Sequence, residues 1–282
     1  MQDSIRKADI LIEALPYIQA FRGKVIVAKY GGSAIDDPAA MRGILQDLVF
    51  LNEVGIGAVL VHGGGPMITR RLSESGRSTT FIDGMRVTDG ATVRIVNQEL
   101  EAVNRRLAHQ VADVGGRAQG LVARHRIIRA RPHPDAKRLG FVGSVKSVDV
   151  AAIQRPLSAH VVPVVSPIGV LDGRLYNINA DSVASEVAAS LRAEKLVLLT
   201  NVRGILRKAD DPSSLLSTVS VAHTKRLMRT GVVQEGMIPK VQACVNALRR
   251  GVKKAHIIDA GIPHAMLLEI FTKTGIGTEI VK

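Results

Sequence analysis

KVIVAKYGGSA, residues 24–34, joins an apolar run to a lysine and two glycines, and AVLVHGGGP, residues 58–66, repeats that arrangement with three glycines. Near-continuous apolar runs rich in β-branched residues are typical of parallel strands that are covered on both faces. Similar runs recur along the chain. The predicted buried strands are 24–29, 58–61, 160–166, 195–200 and 255–259.

Amphipathic segments separate these runs and predict helices. The predicted helices span 38–54, 67–75, 91–114, 181–193, 221–230 and 239–251. Pro239 suits a first helical turn, Gly251 and Gly115 suit helix ends, and Asp181 suits an N-cap. This alternation predicts an α/β fold, a three-layer αβα sandwich with a mainly parallel central sheet. Residues 130–149 interrupt the pattern and indicate a hairpin or a lid-like insertion.

Composition narrows the class of protein. The 282 residues carry a net charge of +13, and the chain has one cysteine, Cys244, and no apolar run of membrane-spanning length. A single cysteine forms no internal disulfide and fits a reducing compartment, so we expect a cytoplasmic protein without a membrane partner. The basic residues are dispersed and no aromatics interleave with them. They therefore favour an enzyme with anionic ligands over a nucleic-acid-binding protein.

Three places combine a strand end or helix start with glycine and lysine. Lys29 precedes Gly31 and Gly32, the triple glycine at 63–65 precedes a helix, and Lys240 lies in a first helical turn. Glycine lets a backbone approach a ligand closely, and helix N-termini attract anions. Each feature taken alone also fits a tight turn or a solvated lysine. A GxxxxGK[ST] loop and a GxGxxG fingerprint are both missing, which disfavours P-loop and dinucleotide-binding proteins.

Ordered motifs across nearly the whole chain resemble those of the amino acid kinase family. They are KYGGSA (29–34), VHGGGP (61–66), GMRVTD (84–89), LGFVGSV (139–145), PVVSPIGV (163–170), YNINAD (176–181), LLTNVRGIL (198–206), GMIPK (236–240) and PHAMLLEIFTKTGIGTEI (263–280). The resemblance implies ATP-dependent phosphorylation of the side-chain carboxylate of N-acetyl-L-glutamate. A carboxylate is already ionised at neutral pH, so this reaction needs no general base.

The resemblance also implies roles for individual residues. Lys29 and Lys240 would stabilise the transferring phosphoryl group while Asp181 holds both lysines. The implied substrate-binding residues are Gly64, Gly65, Arg86, Asn177 and Asn179, with Arg86 paired to the substrate α-carboxylate. The implied phosphate- and nucleotide-binding residues are Gly31, Gly32, Asn201, Gly204 and Gln234. No metal ligand is implied, because Mg²⁺ would be held mainly by the phosphates of ATP. Arg86 as a surface ion-pair partner and Asp181 as a helix cap remain open alternatives.

The two ends of the chain resemble those of arginine-inhibited members. Ile5–Phe21 predicts an amphipathic helix, interrupted near Pro16, of the kind that joins dimers into a homohexamer. The residues implied to bind L-arginine are Tyr17, His264, Glu269, Gly275 and Gly277. The expected organisation is an oligomerisation helix at 1–23, an N-lobe for acetylglutamate and dimerisation at 24–194, and a C-lobe for ATP and arginine at 195–282.

Some positions depart from the family's pattern. Asn201 replaces an aspartate, Met67 and Thr69 replace glutamine and asparagine, and residues 120–125 lack the common GLSGKD. These changes leave alternatives open: a carboxylate kinase acting on another acyl or carrier-linked amino acid, or a catalytically silent arginine-binding homologue.

Overall fold

The computed structural model of the chain describes residues 1–208, 210–234, 236–272 and 274–282. Its helices are α1 Gln2–Phe21, α2 Pro38–Glu53, α3 Gly65–Glu74, α4 Gly90–Asp113, α5 Ala136–Leu139, α6 Val150–Ser158, α7 Ala180–Ser190, α8 Val221–Arg229, α9 Met237–Arg249 and α10 Ala265–Ile270. Short 3₁₀ turns span Gly32–Asp36, Ala123–His125 and Pro212–Ser214. Its strands are β1 Val25–Tyr30, β2 Gly57–His62, β3 Phe81–Ile82, β4 Met85–Arg86, β5 Ala118–Leu121, β6 Ile128–Pro132, β7 Gly143–Val148, β8 Val162–Val165, β9 Ile168–Leu171, β10 Arg174–Asn177, β11 Lys195–Thr200, β12 Thr218–Ser220, β13 Lys254–Asp259 and β14 Thr278–Val281.

The main sheet has the order β12-β14-β13-β11-β1-β2-β8-β5. All of its neighbouring strands run parallel except β13 and β14. The five predicted buried strands are β1, β2, β8, β11 and β13, so the predicted mainly parallel sheet is confirmed. Strand order reverses beside β1, because β2 flanks it on one side and β11 on the other. Open sheets of this kind bind ligands beyond the carboxyl ends of the strands at such a reversal.

The two faces of the main sheet bury separate apolar clusters. Ile26, Ala28 and Tyr30 of β1 pack into one cluster, and Val27 packs into the other. Successive side chains of a strand point to opposite faces, so a strand covered on both sides is apolar throughout. Residues of α2, α4 and α10 complete the first cluster, and residues of α7 and α9 complete the second. The predicted helical layers on both faces are therefore confirmed.

A smaller sheet of order β10-β9-β6-β7 covers part of the second face. Strands β6 and β7 pair antiparallel, as do β9 and β10. The hairpin alternative predicted for residues 130–149 is thus confirmed for β6 and β7, with the short helix α5 at its connection. Strand β10 ends at Asn177, just before α7, and this brings a predicted substrate residue to the ligand edge of the main sheet.

Two local predictions are corrected. Asp181 is not the N-cap of α7: Asn179 caps it, because the Asn179 side chain accepts hydrogen bonds from the backbone N–H groups of Asp181 and Ser182. This shift places Asp181 inside the first turn with its carboxylate free for other partners. Helix α1 is continuous through Pro16 rather than interrupted. The predicted helix ends at Gly115 and Gly251 are confirmed, each glycine lying just beyond its helix at positive φ.

Helix α1 buries none of its residues fully and exposes apolar side chains that include Ile5, Leu11 and Ile12. Its contacts with the body of the protein are at its C-terminal half. The Tyr17 ring lies 6.0 Å from the Phe271 ring, and the Lys195 ammonium lies 5.3 Å from the centre of the Phe21 ring. Among the described residues, no helix combines the length and apolar character that crossing a membrane requires.

Candidate active site

The glycine turns after β1 and β2 pack directly against each other. A Cβ atom added to Gly31 would lie 3.0 Å from the Gly63 Cα and 3.2 Å from the Lys29 Nζ, so a larger residue at position 31 would crowd the second turn and the lysine. Gly32 adopts φ +73°, a conformation that favours glycine. Helix α3 begins at Gly65 without a side-chain cap, so its first backbone N–H groups have no partner within the helix.

Asp181 lies between two lysines. Its Oδ1 atom is 2.9 Å from the Lys29 Nζ, and its Oδ2 atom accepts a hydrogen bond of 3.2 Å from the Lys240 Nζ. Lys29 is 6% exposed and Asp181 5% exposed. The structure therefore brings together three residues that come from β1, α7 and α9. One buried carboxylate against two ammonium groups leaves a net positive site, which suits a multiply charged anion.

Burial and neighbouring charges act in opposite directions on these groups. Burial lowers the pKa of Lys29, and the charge of Lys240 adds to that effect, whereas Asp181 opposes it. Burial alone would raise the pKa of Asp181, but the two lysines outweigh it and leave that pKa below its ordinary value. Asp181 is therefore ionised at neutral pH, and it favours the charged form of Lys29.

A cavity of about 250 Å³ opens beside this cluster, and Lys29, Asp181 and Lys240 all line it. Its other lining residues include the predicted substrate residues Gly64, Gly65, Arg86, Asn177 and Asn179, and the phosphate residue Gly32. Gly31 does not line the cavity itself but supports it through Gly63. The residues predicted to handle substrate and phosphate thus come together in space, although they span more than 200 positions of the chain.

Arg86 is held by the groups around it rather than by an acidic partner. Its Nη1 donates to the Thr79 hydroxyl at 3.0 Å, and its Nη2 donates to the Thr69 hydroxyl at 2.9 Å and the Gly65 carbonyl at 3.3 Å. The Phe81 ring lies 4.8 Å from the guanidinium carbon. Among the described residues Arg86 forms no ion pair, so its charge remains available to an anionic ligand.

The two predicted asparagines have different surroundings. The Asn177 side chain donates to the Thr88 hydroxyl at 3.3 Å, which fixes its amide at the edge of the cavity. The Asn179 side chain caps α7, and this residue lines the cavity as well. Asn179 therefore orients the helix that carries Asp181.

Two further cavities offer space for a ligand. One, of about 640 Å³, shares Asp181 and Lys240 with the first. The other, of about 410 Å³, is lined by residues that include Gly204 and Gln234, whereas Asn201 lies outside its lining. Gly204 adopts φ +148°, and a Cβ there would lie 2.5 Å from the Thr278 hydroxyl oxygen. Open space therefore adjoins Lys240, whereas Gly204 and Gln234 belong to a separate cavity that shares no lining residue with it.

The residues implied to bind arginine lie around α10. Tyr17 reaches this region through Phe271, and the His264 Nδ1 lies 2.6 Å from Oδ1 of the buried Asp47. Burial alone would raise the pKa of Glu269, but its interactions with His256, the Ile276 N–H and Lys195 together outweigh burial and leave that pKa lowered.

Glu269 already has internal partners. Its carboxylate is 2.6 Å from the His256 Nδ1 and accepts from the backbone N–H groups of Ile276 and Gly277. A Cβ at Gly275 would lie 2.8 Å from both Glu269 oxygens. Glu269 thus organises the turn at 275–277, which is a structural role that the sequence did not reveal.

Sequence reasoning did not identify Thr69, Thr79 and Phe81 as the residues that position Arg86. Thr69 stands out only as a departure from the family's pattern, and the other two carry no sequence signal, because they meet Arg86 only through the fold. Among the described residues, no group of three or more His, Cys, Asp or Glu side chains is arranged to hold a metal ion.

The chain is similar to known proteins along nearly its whole length. The model of the amino acid kinase family matches residues 24–259. The chain is 44% identical to the acetylglutamate kinase of Thermoanaerobacter pseudethanolicus, covering 99% of this chain and 95% of that one. It is 46% identical to the acetylglutamate kinase of Moorella thermoacetica, covering 98% of each.

Solved structures give a second comparison. N-acetylglutamate synthase from Neisseria gonorrhoeae, complexed with coenzyme A and N-acetyl-glutamate, superposes with a TM-score of 0.85 at 29% identity over 96% of this chain. The same enzyme complexed with coenzyme A and L-arginine gives a TM-score of 0.80 at 28% identity. The chain spans less than two thirds of the synthase, 62% and 64% in the two structures. Carbamate kinase from Giardia lamblia, bound to AMP-PNP, shares the fold with a TM-score of 0.66 at 16% identity.

Proposed function

The chain belongs to the amino acid kinase family, and from that membership we propose that it transfers the γ-phosphoryl group of ATP to the side-chain carboxylate of N-acetyl-L-glutamate. One observation carries the proposal: the Lys29–Asp181–Lys240 cluster faces the same cavity as the guanidinium of Arg86. Full-length similarity to acetylglutamate kinases supports this choice of substrate.

Arg86 binds the α-carboxylate of the substrate. Its geometry supports this role, because two threonine hydroxyls already orient its planar guanidinium group. The charge of that group also has no acidic partner among the described residues. Asn177 and Asn179 contribute amide groups for the N-acetyl end and the backbone of the substrate. The side-chain carboxylate then extends towards the lysines.

The reaction is a single displacement at phosphorus. A carboxylate oxygen of the substrate forms a bond to the γ-phosphorus while the bond from that phosphorus to the β,γ-bridging oxygen breaks. The products are an acyl phosphate and ADP, and no proton is removed from the nucleophile. Lys29 and Lys240 offset negative charge on the transferring group, and Asp181 keeps the two like charges close together.

Backbone N–H groups of the two glycine turns complete the phosphate environment. Gly32 of the first turn and Gly63, Gly64 and Gly65 of the second line the cavity, which supports this role. MgATP is the second substrate, with its base near Gly204 and Gln234. Mg²⁺ is held mainly by the phosphates of the nucleotide, since this ion keeps phosphate and water ligands readily.

The test is ADP release with N-acetyl-L-glutamate, L-glutamate and N-acetyl-aminoadipate as competing acceptors. We expect the highest kcat/KM with N-acetyl-L-glutamate. Lys29→Ala and Lys240→Ala should each lower kcat on the order of 10²-fold or more, whereas Lys146→Ala, an exposed lysine on β7, should not. A higher kcat/KM with either of the other acceptors would show that the proposed substrate is wrong. Full activity in both site variants would overturn the mechanism.

Further parts of the proposal are feedback inhibition by L-arginine, assembly of dimers into a hexamer through residues 1–23, and a cytoplasmic location. The exposed apolar side chains of α1 support the assembly. The similar synthase from Neisseria gonorrhoeae is complexed with L-arginine, which supports arginine as the effector. The lobes at 24–194 and 195–282 divide acetylglutamate from ATP and arginine.

Arginine inhibition is tested by activity and thermal midpoint in millimolar L-arginine. Citrulline, which has a neutral group in place of the guanidinium, is the matched control. We expect arginine to lower activity and raise the midpoint while citrulline does neither. Unchanged activity and midpoint with arginine would remove this part of the proposal and leave the catalytic part intact.

A further inference from the structure

His62 ends strand β2 immediately before the triple glycine and is fully buried. It does not line the cavity, so it cannot touch substrate. Its Nδ1 atom lies 2.9 Å from the carbonyl oxygen of Gly63. Burial lowers the pKa of this imidazole to about 4, so the ring is neutral at neutral pH and carries one proton.

Asn104 of α4 determines which ring nitrogen carries that proton. Its Nδ2 donates to the carbonyl of Val164 at 2.8 Å and lies 3.1 Å from the His62 Nε2. An amide nitrogen is only a donor, so Nε2 must be the acceptor. The single proton therefore resides on Nδ1, and Nδ1–H donates to the Gly63 carbonyl.

The orientation of Asn104 is itself enforced by its surroundings. Reversing the amide would place its oxygen against the Val164 carbonyl, which is repulsive. Its oxygen lies so close to Gly120 that a Cβ there would be 2.3 Å away. Gly120 therefore leaves the space that Asn104 occupies, and this accounts for a glycine in a segment that otherwise departs from the family's pattern.

The hydrogen bond from His62 to the Gly63 carbonyl also fixes the direction of the Gly64 N–H. The Gly63 carbonyl and the Gly64 N–H belong to one planar trans peptide, in which the two groups point in opposite directions. Holding the carbonyl towards the buried imidazole therefore directs the N–H away from it. Gly64 lines the cavity beside Lys29.

We propose that His62 and Asn104 are positioning residues for phosphoryl transfer, which hold the Gly63–Gly64 peptide so that the Gly64 N–H faces the reacting oxygens. The inference rests on the proposed function, because it assigns the N–H a role in that reaction. Glycine peptides rotate freely, so an uncapped glycine turn needs an external constraint to keep its donors aligned.

Kinetics of four variants separate positioning from a purely structural role. His62→Leu and Asn104→Leu should lower kcat roughly 10- to 100-fold, below the effect of deleting a transition-state donor outright, while KM for ATP changes less than about 3-fold. His62→Asn should recover most of the loss, because its amide N–H lies near the position of Nδ1.

His160→Leu is the matched control, since its Nδ1 also contacts a carbonyl, that of Asn52 at 2.8 Å, away from the cavity. It should lower stability and leave kcat unchanged. The proposal is overturned if His62→Leu loses stability but keeps wild-type kcat, or if His62→Asn is as impaired as His62→Leu.

A spectroscopic measurement on the wild-type protein tests the same point without relying on the activity of a variant. Nitrogen-15 NMR of labelled histidine, with the His62 signal assigned by its disappearance in His62→Asn, should show a protonated Nδ1 and a bare Nε2 at pH 7. The opposite tautomer would overturn the proposal. Wild-type protein that shows this tautomer but does not phosphorylate N-acetyl-L-glutamate would refute the proposed function instead.

Discussion

Replacing Asp181 by asparagine keeps the size of the side chain and removes the negative charge that lies between Lys29 and Lys240. Within the part of the chain that the structure describes, the two ammonium groups then have no counter-ion, and one of them is almost fully buried. The change therefore separates two contributions of Asp181: stabilising the fold around buried lysines and holding those lysines for phosphoryl transfer.

The magnitude follows from the geometry. Unit charges about 4 Å apart attract by about 4 kcal/mol at an effective dielectric constant of about 20, and desolvation offsets part of this. Removing one partner of a buried pair costs about 3–5 kcal/mol, a large share of the roughly 5–15 kcal/mol that stabilises a typical domain. Asp181→Asn should therefore fold but be destabilised by about 3–5 kcal/mol. We expect kcat to fall about 10²- to 10³-fold.

Stability is measured by urea unfolding followed by far-UV circular dichroism, because the chain has no tryptophan to report by fluorescence. Adding Lys29→Met to Asp181→Asn should restore stability, since it removes the unpaired ammonium, and should leave kcat low. The basic limb of the activity profile should move to lower pH in Asp181→Asn. Burial already lowers the pKa of Lys29, and Asp181 is the described residue that opposes that effect.

Glu186→Gln on the same helix is the matched control, because it breaks an exposed ion pair with Arg250. It should cost less than about 1 kcal/mol and leave kcat unchanged. The reasoning is refuted if Asp181→Asn keeps kcat within about 2-fold of wild type, or if the double variant is no more stable than the single one.

Thr69→Val should raise KM for N-acetyl-L-glutamate roughly 2- to 10-fold with little change in kcat, because one hydrogen bond that orients Arg86 is lost; an unchanged KM would contradict this. Gly204→Ala should raise KM for ATP about 10-fold and destabilise the protein by about 1–3 kcal/mol, since its φ is positive and its Cβ meets the Thr278 hydroxyl. Wild-type KM and unfolding midpoint would show that this loop tolerates the change. His62 has its pKa lowered from 6.5 to about 4, so the unfolded chain binds the extra proton first and stability falls as pH drops through that window. Urea titrations should show that, between neutral pH and pH 4, the free energy of unfolding of the wild type falls by up to about 3 kcal/mol more than that of His62→Asn. Equal falls in the two proteins would contradict this prediction.

The strands and helices of this chain were predictable because their signals are local. A covered parallel strand must be apolar on both faces, and β1, β2, β8, β11 and β13 each read as short apolar runs. Glycine at helix ends gave two correct boundaries. The N-cap of α7 was misassigned because Asn179 and Asp181 both have side chains that cap helices, and only the backbone geometry chooses between them.

The residues around Arg86 were not predictable in the same way. Thr69, Thr79 and Phe81 come from a helix, a loop and a short strand, and nothing in their spacing indicates that they meet one guanidinium. The same holds for Glu269, whose partner His256 lies on a neighbouring strand. Such contacts depend on how elements pack, and packing partners leave no periodic trace in the sequence.

By itself the sequence determined the α/β architecture, the glycine turns and the residue types available for binding anions, because these follow from local conformation and composition. The family resemblance implied that Asp181 holds Lys29 and Lys240, and the tertiary structure supplied the contacts that bring the three together. Only the tertiary structure decided that a buried imidazole directs a peptide at the cavity. Those arrangements join residues far apart in the chain, and it is the burial created by folding that makes their charges and hydrogen bonds strong enough to matter.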